Sequence, residues 1–264
     1  MDVEIHLNKN VDENASIYFN LAKKAKKKLE GAKKALGDSK KELASLEKNE
    51  EKFQLEQEIK QEKKQRKKEW YEKFHWFISS EDFLCVGGKD ATSNEMIIKK
   101  HMEKDDIVFH TDMAGSPFFI VKNGKNATEI TLKETAQAVG VYSRAWKLGH
   151  ASADVFYVKP EQVTKEAQSG ESLSKGSFMV YGKTEYLHPK LEYAIGIFED
   201  EQGNKEIIGG PVDAIKYKTK NYIVVVAGRD KKSAMAKKIK SKLKGGDLDD
   251  IIKFLPAGGV EMKK

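Results

Sequence analysis

Apolar positions along this chain follow two different periods, and the change falls near Trp70. In the first part they recur every seven residues. Ala22, Leu29, Leu36 and Leu43 form one row, and Ala25, Ala32, Ser39, Leu46 and Phe53 form a second row three residues later. That is the seam of a coiled coil. No proline occurs between Asn10 and Trp76, and Asn10 and Asp12 both suit a helix N-cap. The seam passes Gly37-Asp38 in phase. It therefore predicts one helix over 12–48, a turn near Asn49, and a second helix over 51–74. The second folds back so that Leu55, Ile59 and Trp70 face the first; a turn at Gly37 is the other reading. Ahead of the arm, Val3, Ile5 and Leu7 alternate with polar residues and predict a short strand or an extended lead-in.

Beyond Trp70 the apolar runs shorten and are bounded by Gly, Pro and Asp, which is the signature of strands. Strands are predicted at 74–80, 83–86, 107–110, 118–122, 154–158, 177–181, 193–198, 207–208 and 222–227. Helices are predicted at 91–103 and at 131–147, with Thr131 and Glu134 as a capping box. Three more are predicted: after Pro211, from an Asp230 cap to Leu243, and over 248–255. Strands and helices mix without βαβ alternation, so the fold class is α+β. The predicted division is an N-terminal antiparallel helical hairpin over 1–74 and a mixed α+β domain over 75–264.

Composition sharpens this division. Of 264 residues 34% are charged, and the mean hydropathy of −0.63 is low for one globule. A solvated arm on an ordinary domain explains both. The net charge of +7 favours polyanionic partners. Cys85 is the only cysteine, so neither an internal disulfide nor a cysteine zinc site is expected, which fits a reducing cytoplasm. The polar N-terminus and the lack of a long apolar run predict no signal peptide and no membrane partner. Two basic runs stand out: Lys23-Lys24-Ala25-Lys26-Lys27-Lys28 and Lys63-Lys64-Gln65-Arg66-Lys67-Lys68. In the predicted hairpin both lie near the base, where they could face one ligand. The plainer reading is a solvated face with ion pairs to Glu30, Glu62 and Glu69.

Catalytic chemistry finds little support. His110 and Asp112 share a strand face, but a metal needs a third ligand and the other histidines lack ligand spacing. Ala114-Gly115-Ser116-Pro117 is not a nucleophile elbow. Gly87-Gly88-Lys89-Asp90 lacks the spacing of a phosphate-binding loop. No catalytic residue, metal or cofactor is expected. Polar pairs do gather at strand ends: Lys89 and Asp90, His110 and Asp112, Lys122 and Asn123. On the helix over 131–147, Arg144 and Lys147 are three apart and can grip one phosphate track, while Trp146 points elsewhere. Trp76, Phe77 and Trp146 read as core.

Four segments, GGKDATSNE, DDIVFHTDMAGSPFFIVKN, YSRAWK and GSFMVYGK, resemble in order the C-terminal R domain of the NFACT family. These are the NEMF/RqcH-type ribosome quality control factors. The resemblance runs from about Val11 to near the C-terminus and implies the middle coiled coil plus the R domain. It implies RNA binding without catalysis: tRNA held on the obstructed large ribosomal subunit. Motif membership carries over to Gly87, Gly88, Asp90, Glu95, His110, Asp112, Gly115, Lys122, Asn123, Ser143 and Trp146, with Lys89 kept as a basic position. Pro117 departs from the pattern and puts that loop's conformation in question. The RNA-binding candidates are thus Lys89, Asp90, Glu95, His110, Asp112, Lys122, Asn123, Arg144 and Lys147 in the domain. In the arm they are Lys63, Lys64, Arg66, Lys67 and Lys68. The alternative is an interaction module that self-associates through its coiled coil, with incidental RNA binding.

The second basic run gives a direct test. Charge reversal across 63–68 is expected to flatten the log–log salt dependence of tRNA binding by roughly 0.9 for each phosphate no longer neutralised, the duplex DNA figure. An unchanged slope in filter binding would remove the arm from the RNA interface.

Overall fold

The computed structural model describes residues 3–65, 69–166, 173–200 and 203–263, with backbone only over 47–65. The chain forms two compact units, Met1–Lys68 and Glu69–Lys264. Lys63 and Lys64 have no described side chain, and Arg66, Lys67 and Lys68 lie outside the described residues.

The first unit is one helix, α1 (Val11–Gln65). Asn10 caps it. Its Oδ1 accepts the Glu13 N–H at 2.8 Å, and the Glu13 carboxylate accepts the Asn10 N–H at 2.9 Å. This reciprocal pair satisfies donors that the first helical turn leaves free. The lead-in is not a strand. It is held by Asn14, which bonds the His6 N–H at 2.8 Å and the His6 carbonyl at 3.1 Å. The expected fold-back is also absent: α1 passes both Gly37 and Asn49 without a break. Asn49 stands among Lys48, Glu50 and Glu51, and one weak helix former among strong ones does not stop a helix. Leu29, Leu36, Leu43 and Leu46 therefore lie on an open face, each 56–59% exposed.

Residues 69–74, expected to end a second arm helix, are turns instead. Trp70 stacks on His101 with ring centres 4.1 Å apart, and Phe74 is buried in the second unit. The strands of this unit are β1 (His75–Ile78), β2 (Leu84–Gly87), β3 (Ile107–Thr111), β4 (Phe119–Val121), β5 (Val155–Val158), β6 (Val163–Thr164), β7 (Met179–Val180), β8 (Glu185–Leu187), β9 (Glu192–Glu199), β10 (Lys205–Gly210), β11 (Tyr222–Asp230) and β12 (Val260–Met262). Six form one antiparallel sheet in the order β1-β2-β4-β3-β5-β8, and four form another in the order β10-β9-β11-β12. β6 and β7 pair as a ribbon. The helices are α2 (Ala91–Met96), α3 (Glu129–Tyr142), α4 (Arg144–Lys147), α5 (Val212–Lys218), α6 (Lys232–Leu243) and α7 (Leu248–Phe254). The architecture is α+β, a long helix followed by a mixed domain.

The six-stranded sheet is apolar on both faces, which is why its strands read as continuous apolar runs rather than alternations. Val86, Val108, Ile120 and Phe156 face one core with Ile97, Ile98 and Phe74. Their neighbours Cys85, Phe109, Phe119, Val121 and Val155 face the other, with Ala136, Ala138 and Val139 of α3. A π turn over Ile97–His101 puts two consecutive isoleucines inward. The helix predicted over 91–103 is thus a short α2 followed by this turn. α3 packs on β3, β4 and β5 and also touches β9, so it joins the two sheets. A third core lies where β9, β10, β11, α6 and α7 meet, around Tyr193, Ile195, Ile239 and Leu255.

Two predicted caps are displaced. α3 begins at Thr128, whose hydroxyl accepts the Ile130 N–H. Glu81 also accepts from the Thr128 and Thr131 N–H groups, a carboxylate where the helix dipole favours one. Thr131 and Glu134 form no capping box; Glu134 instead accepts the Ser80 N–H and hydroxyl at 3.0 and 2.6 Å. Asp230 ends β11, and α6 opens at Lys231 with no side-chain cap.

Gly87 and Gly88 are more than turn residues. A Cβ on Gly87 would enter the Phe119 ring, and one on Gly88 would meet the Asn94 side chain. Asn94 is buried, accepts the Phe118 N–H at 3.0 Å and donates to the Ser116 carbonyl at 3.3 Å. Gly88→Ala is expected to destabilise the domain by about 1–3 kcal/mol through this overlap. Urea unfolding checks it; an unchanged midpoint would mean that Asn94 moves aside freely.

Candidate nucleic-acid interface

The strand-end pairs do not all come together. Lys89 and Asp90 after β2 lie at the same end of the six-stranded sheet as His110 and Asp112 at the end of β3, whereas antiparallel β4 carries Lys122 and Asn123 to the opposite end, and most of them are tied into the scaffold. Asp90 is the N-cap of α2. Its carboxylate accepts the Ser93 N–H at 2.8 Å, and that bond holds it below the usual carboxylate range. Glu95 pairs with Lys99 at 2.6 Å and with Lys165 at 3.6 Å, and its hydrogen bond to Lys99 pulls it low. His110 stacks on Phe118 with ring centres 4.0 Å apart, and its Nε2 is 3.3 Å from the Ser116 carbonyl. A carbonyl only accepts, so Nε2 carries the proton. Burial holds this ring below its ordinary value and keeps it neutral. Asp112 accepts the Tyr186 hydroxyl at 3.1 Å.

Lys122 is further from any ligand role. Its Nζ donates at 2.8 Å to both Asp106 and the His101 carbonyl. The Asp106 side chain is wholly buried, so removing Lys122 would leave a carboxylate without its counter-charge. Asn123 turns the chain in the left-handed region at φ 54°, and its N–H goes to Asp106 at 2.9 Å. These positions build the turn after β4.

Arg144 and Lys147 are placed differently. Ser143 breaks the helix predicted over 131–147 by turning to ψ 175°, and then caps α4 by accepting the Ala145 N–H. Trp146 is buried and donates to the Gly259 carbonyl at 3.1 Å. Arg144 and Lys147 stay exposed on the other side. Lys89, after β2, is also an exposed residue. Partial burial of its ammonium and the nearby charge of Lys253 hold it below the usual lysine value.

One group went unnoticed in the sequence. His75 opens β1, pairs across the strands with Gly87, and stacks on Tyr142 with ring centres 3.7 Å apart. Its pKa is driven down to about 3, first by burial, then by Lys89 and Lys232. Lys232 lies far away in sequence, and no local pattern links the two.

A family model for the NFACT protein RNA binding domain matches residues 73–182. The chain is 40% identical over 201 residues to the archaeal Rqc2 homolog aRqcH of Methanocaldococcus jannaschii, a match covering 75% of this chain and 30% of that protein. The chain belongs to the NFACT family. It is also 35% identical over 182 residues to the human ribosome quality control complex subunit NEMF, covering 67% of this chain and 16% of NEMF. With the ribosome quality control complex subunit 2 of Schizosaccharomyces pombe it shares 38% identity over 125 residues, 46% of this chain and 12% of that one. This NFACT chain thus spans less than a third of the length of these relatives. The matched RNA-binding stretch holds β1 to β7 and α2 to α4, and with them every candidate residue in the domain. No helix among the described residues is long and apolar enough to cross a membrane.

The neutral histidines give a pH prediction. Unfolded, each takes a proton below about pH 6.5; folded, His75 stays neutral down to about 3. Stability is therefore full above pH 6.5 and falls as pH drops through it, by up to about 1.4 kcal/mol per unit for each such ring. His75→Phe keeps the stack on Tyr142 and is expected to shrink the loss of urea midpoint between pH 7 and 5. An unchanged loss would show that His75 accepts its proton within the fold.

Proposed function

We propose that this chain is a non-enzymatic RNA-binding and ribosome-docking segment of a cytoplasmic quality control factor, one that holds tRNA on the large ribosomal subunit. The observation that carries the reading is the match of residues 73–182 to an RNA-binding domain whose exposed cations sit on a rigid frame. Arg144 and Lys147 stand exposed on α4, while Asp90, Glu95 and Asp112, which would repel phosphate, are each already hydrogen-bonded. The relatives' names supply the ribosome. Phosphate contacts of this kind give affinity and orientation rather than sequence choice, which suits a partner recognised by shape.

Co-sedimentation with purified large ribosomal subunits, with and without tRNA, tests this. The chain is expected to pellet with subunits, more strongly when tRNA is present, and less so after Arg144→Glu with Lys147→Glu. The second reading, self-association through the exposed leucine row of α1, predicts a dimer in analytical ultracentrifugation and no tRNA effect in the pellet.

A further inference from the structure

Four lysines from four separate elements converge around the loop over 255–258, which follows α7. Lys89 comes from the turn after β2, Lys147 from the end of α4, Lys232 from the first turn of α6, and Lys253 from α7. Their partners fix the place. Lys232 Nζ donates to the Leu255 carbonyl at 2.6 Å. The Tyr142 hydroxyl bonds the Phe254 carbonyl at 2.8 Å. Gly258 packs on Lys147, and the Trp146 indole reaches Gly259. His75, against Tyr142, feels the charges of Lys89 and Lys232.

The charges are not balanced locally. Lys253 pairs with Asp250 at 2.7 Å, and Asp90 beside Lys89 is committed to Ser93. Among the described residues, Lys89, Lys147 and Lys232 have no carboxylate at ion-pair distance. Partial burial of the ammonium and then Lys253 disfavour the charge of Lys89, and partial burial and then Lys147 and Lys89 disfavour that of Lys232. Crowding of like charges disfavours the free protein, and an anion placed among them relieves it. The local dipoles agree: the Phe254 and Leu255 carbonyls are turned to Tyr142 and Lys232, and the 12-residue helix α6 begins here without a side-chain cap.

We propose that Lys89, Lys147, Lys232 and Lys253 form a seat for a backbone phosphate of bound RNA, centred on the loop over 255–258. The lysine tips lie open to solvent or half-buried, which suits one phosphate of a long strand. The strand leaves along Arg144, one helical turn before Lys147. The seat rests on the RNA-binding reading and refines it, because half of it, Lys232 and Lys253, lies outside the stretch matched by the family domain.

The test uses the full chain. Lys89→Glu with Lys253→Glu is compared with Lys237→Glu plus Lys242→Glu, a pair exposed elsewhere on α6 that changes the net charge equally. The first pair is expected to lower tRNA affinity at least tenfold and flatten the salt slope by roughly 0.9; the second is expected to cost less than threefold. In parallel, the His75 ring signals are followed by NMR during titration with inorganic tripolyphosphate. They are expected to shift and saturate in the wild type but not in the first variant. Equal losses in both variants, or none in either, with tRNA still bound by the wild type, would overturn the seat and leave the RNA-binding reading standing. Saturable tripolyphosphate binding with no tRNA binding would overturn the nucleic-acid source together with that reading.

Discussion

Tyr142 is the joint on which the second unit turns. Its ring lies against His75 of β1 and faces Phe119 of β4, so it belongs to the six-stranded sheet. Its hydroxyl reaches Tyr193 of β9 at 2.7 Å and the Phe254 carbonyl of α7 at 2.8 Å, so it belongs equally to the four-stranded sheet. A hydroxyl has one proton; given to Phe254, it leaves Tyr193 to donate back. Burial pushes both phenols well above their ordinary values, so both keep their protons and the link persists through physiological pH. An orphaned buried hydroxyl costs about 1–3 kcal/mol, and here the two sheets share one arrangement that avoids it. The loop over 255–258, and with it the ring of lysines, is held in place from this point.

Much of the fold was legible in the sequence. The strands stand where short apolar runs met Gly, Pro or Asp, and Trp76, Phe77 and Trp146 pack inward or against neighbouring rings as expected. What escaped depended on partners distant in sequence. Thr131 and Glu134 have the spacing of a capping box, but Glu81 and Ser80 claim their side chains. The heptad row described a helix face correctly and could not say whether the helix bends. β8 and β12 are three residues each and were too short for periodicity to mark.

Site residues were legible as chemistry and less so as role. Residue type and strand-end position singled out Asp90, His110 and Lys122, yet each is engaged by a neighbour that the fold supplies: Ser93, Phe118 and Asp106. A buried or capping polar group looks the same in sequence as one that awaits a ligand. The sequence also hides the opposite case. Nothing local distinguishes Lys232 or Lys253 from the other lysines of a basic C-terminal region, and only the closure of the third core brings them beside Lys89. Net charge is therefore a poor guide here. Lys99 and Lys218 are matched by carboxylates in largely exposed pairs that contribute little either way, and Lys122 is spent on the buried Asp106.

The crowding of Lys89 and Lys232 has a consequence for reactivity. A lysine whose ammonium is disfavoured holds a larger share of free amine near neutral pH, and the free amine is the nucleophile. Lys89, which is exposed, therefore offers more free amine to an acylating reagent than an uncrowded lysine would, whereas Lys232 keeps its ammonium on the Leu255 carbonyl. The feature that makes the place attractive to an anion also makes it chemically conspicuous whenever the anion has left.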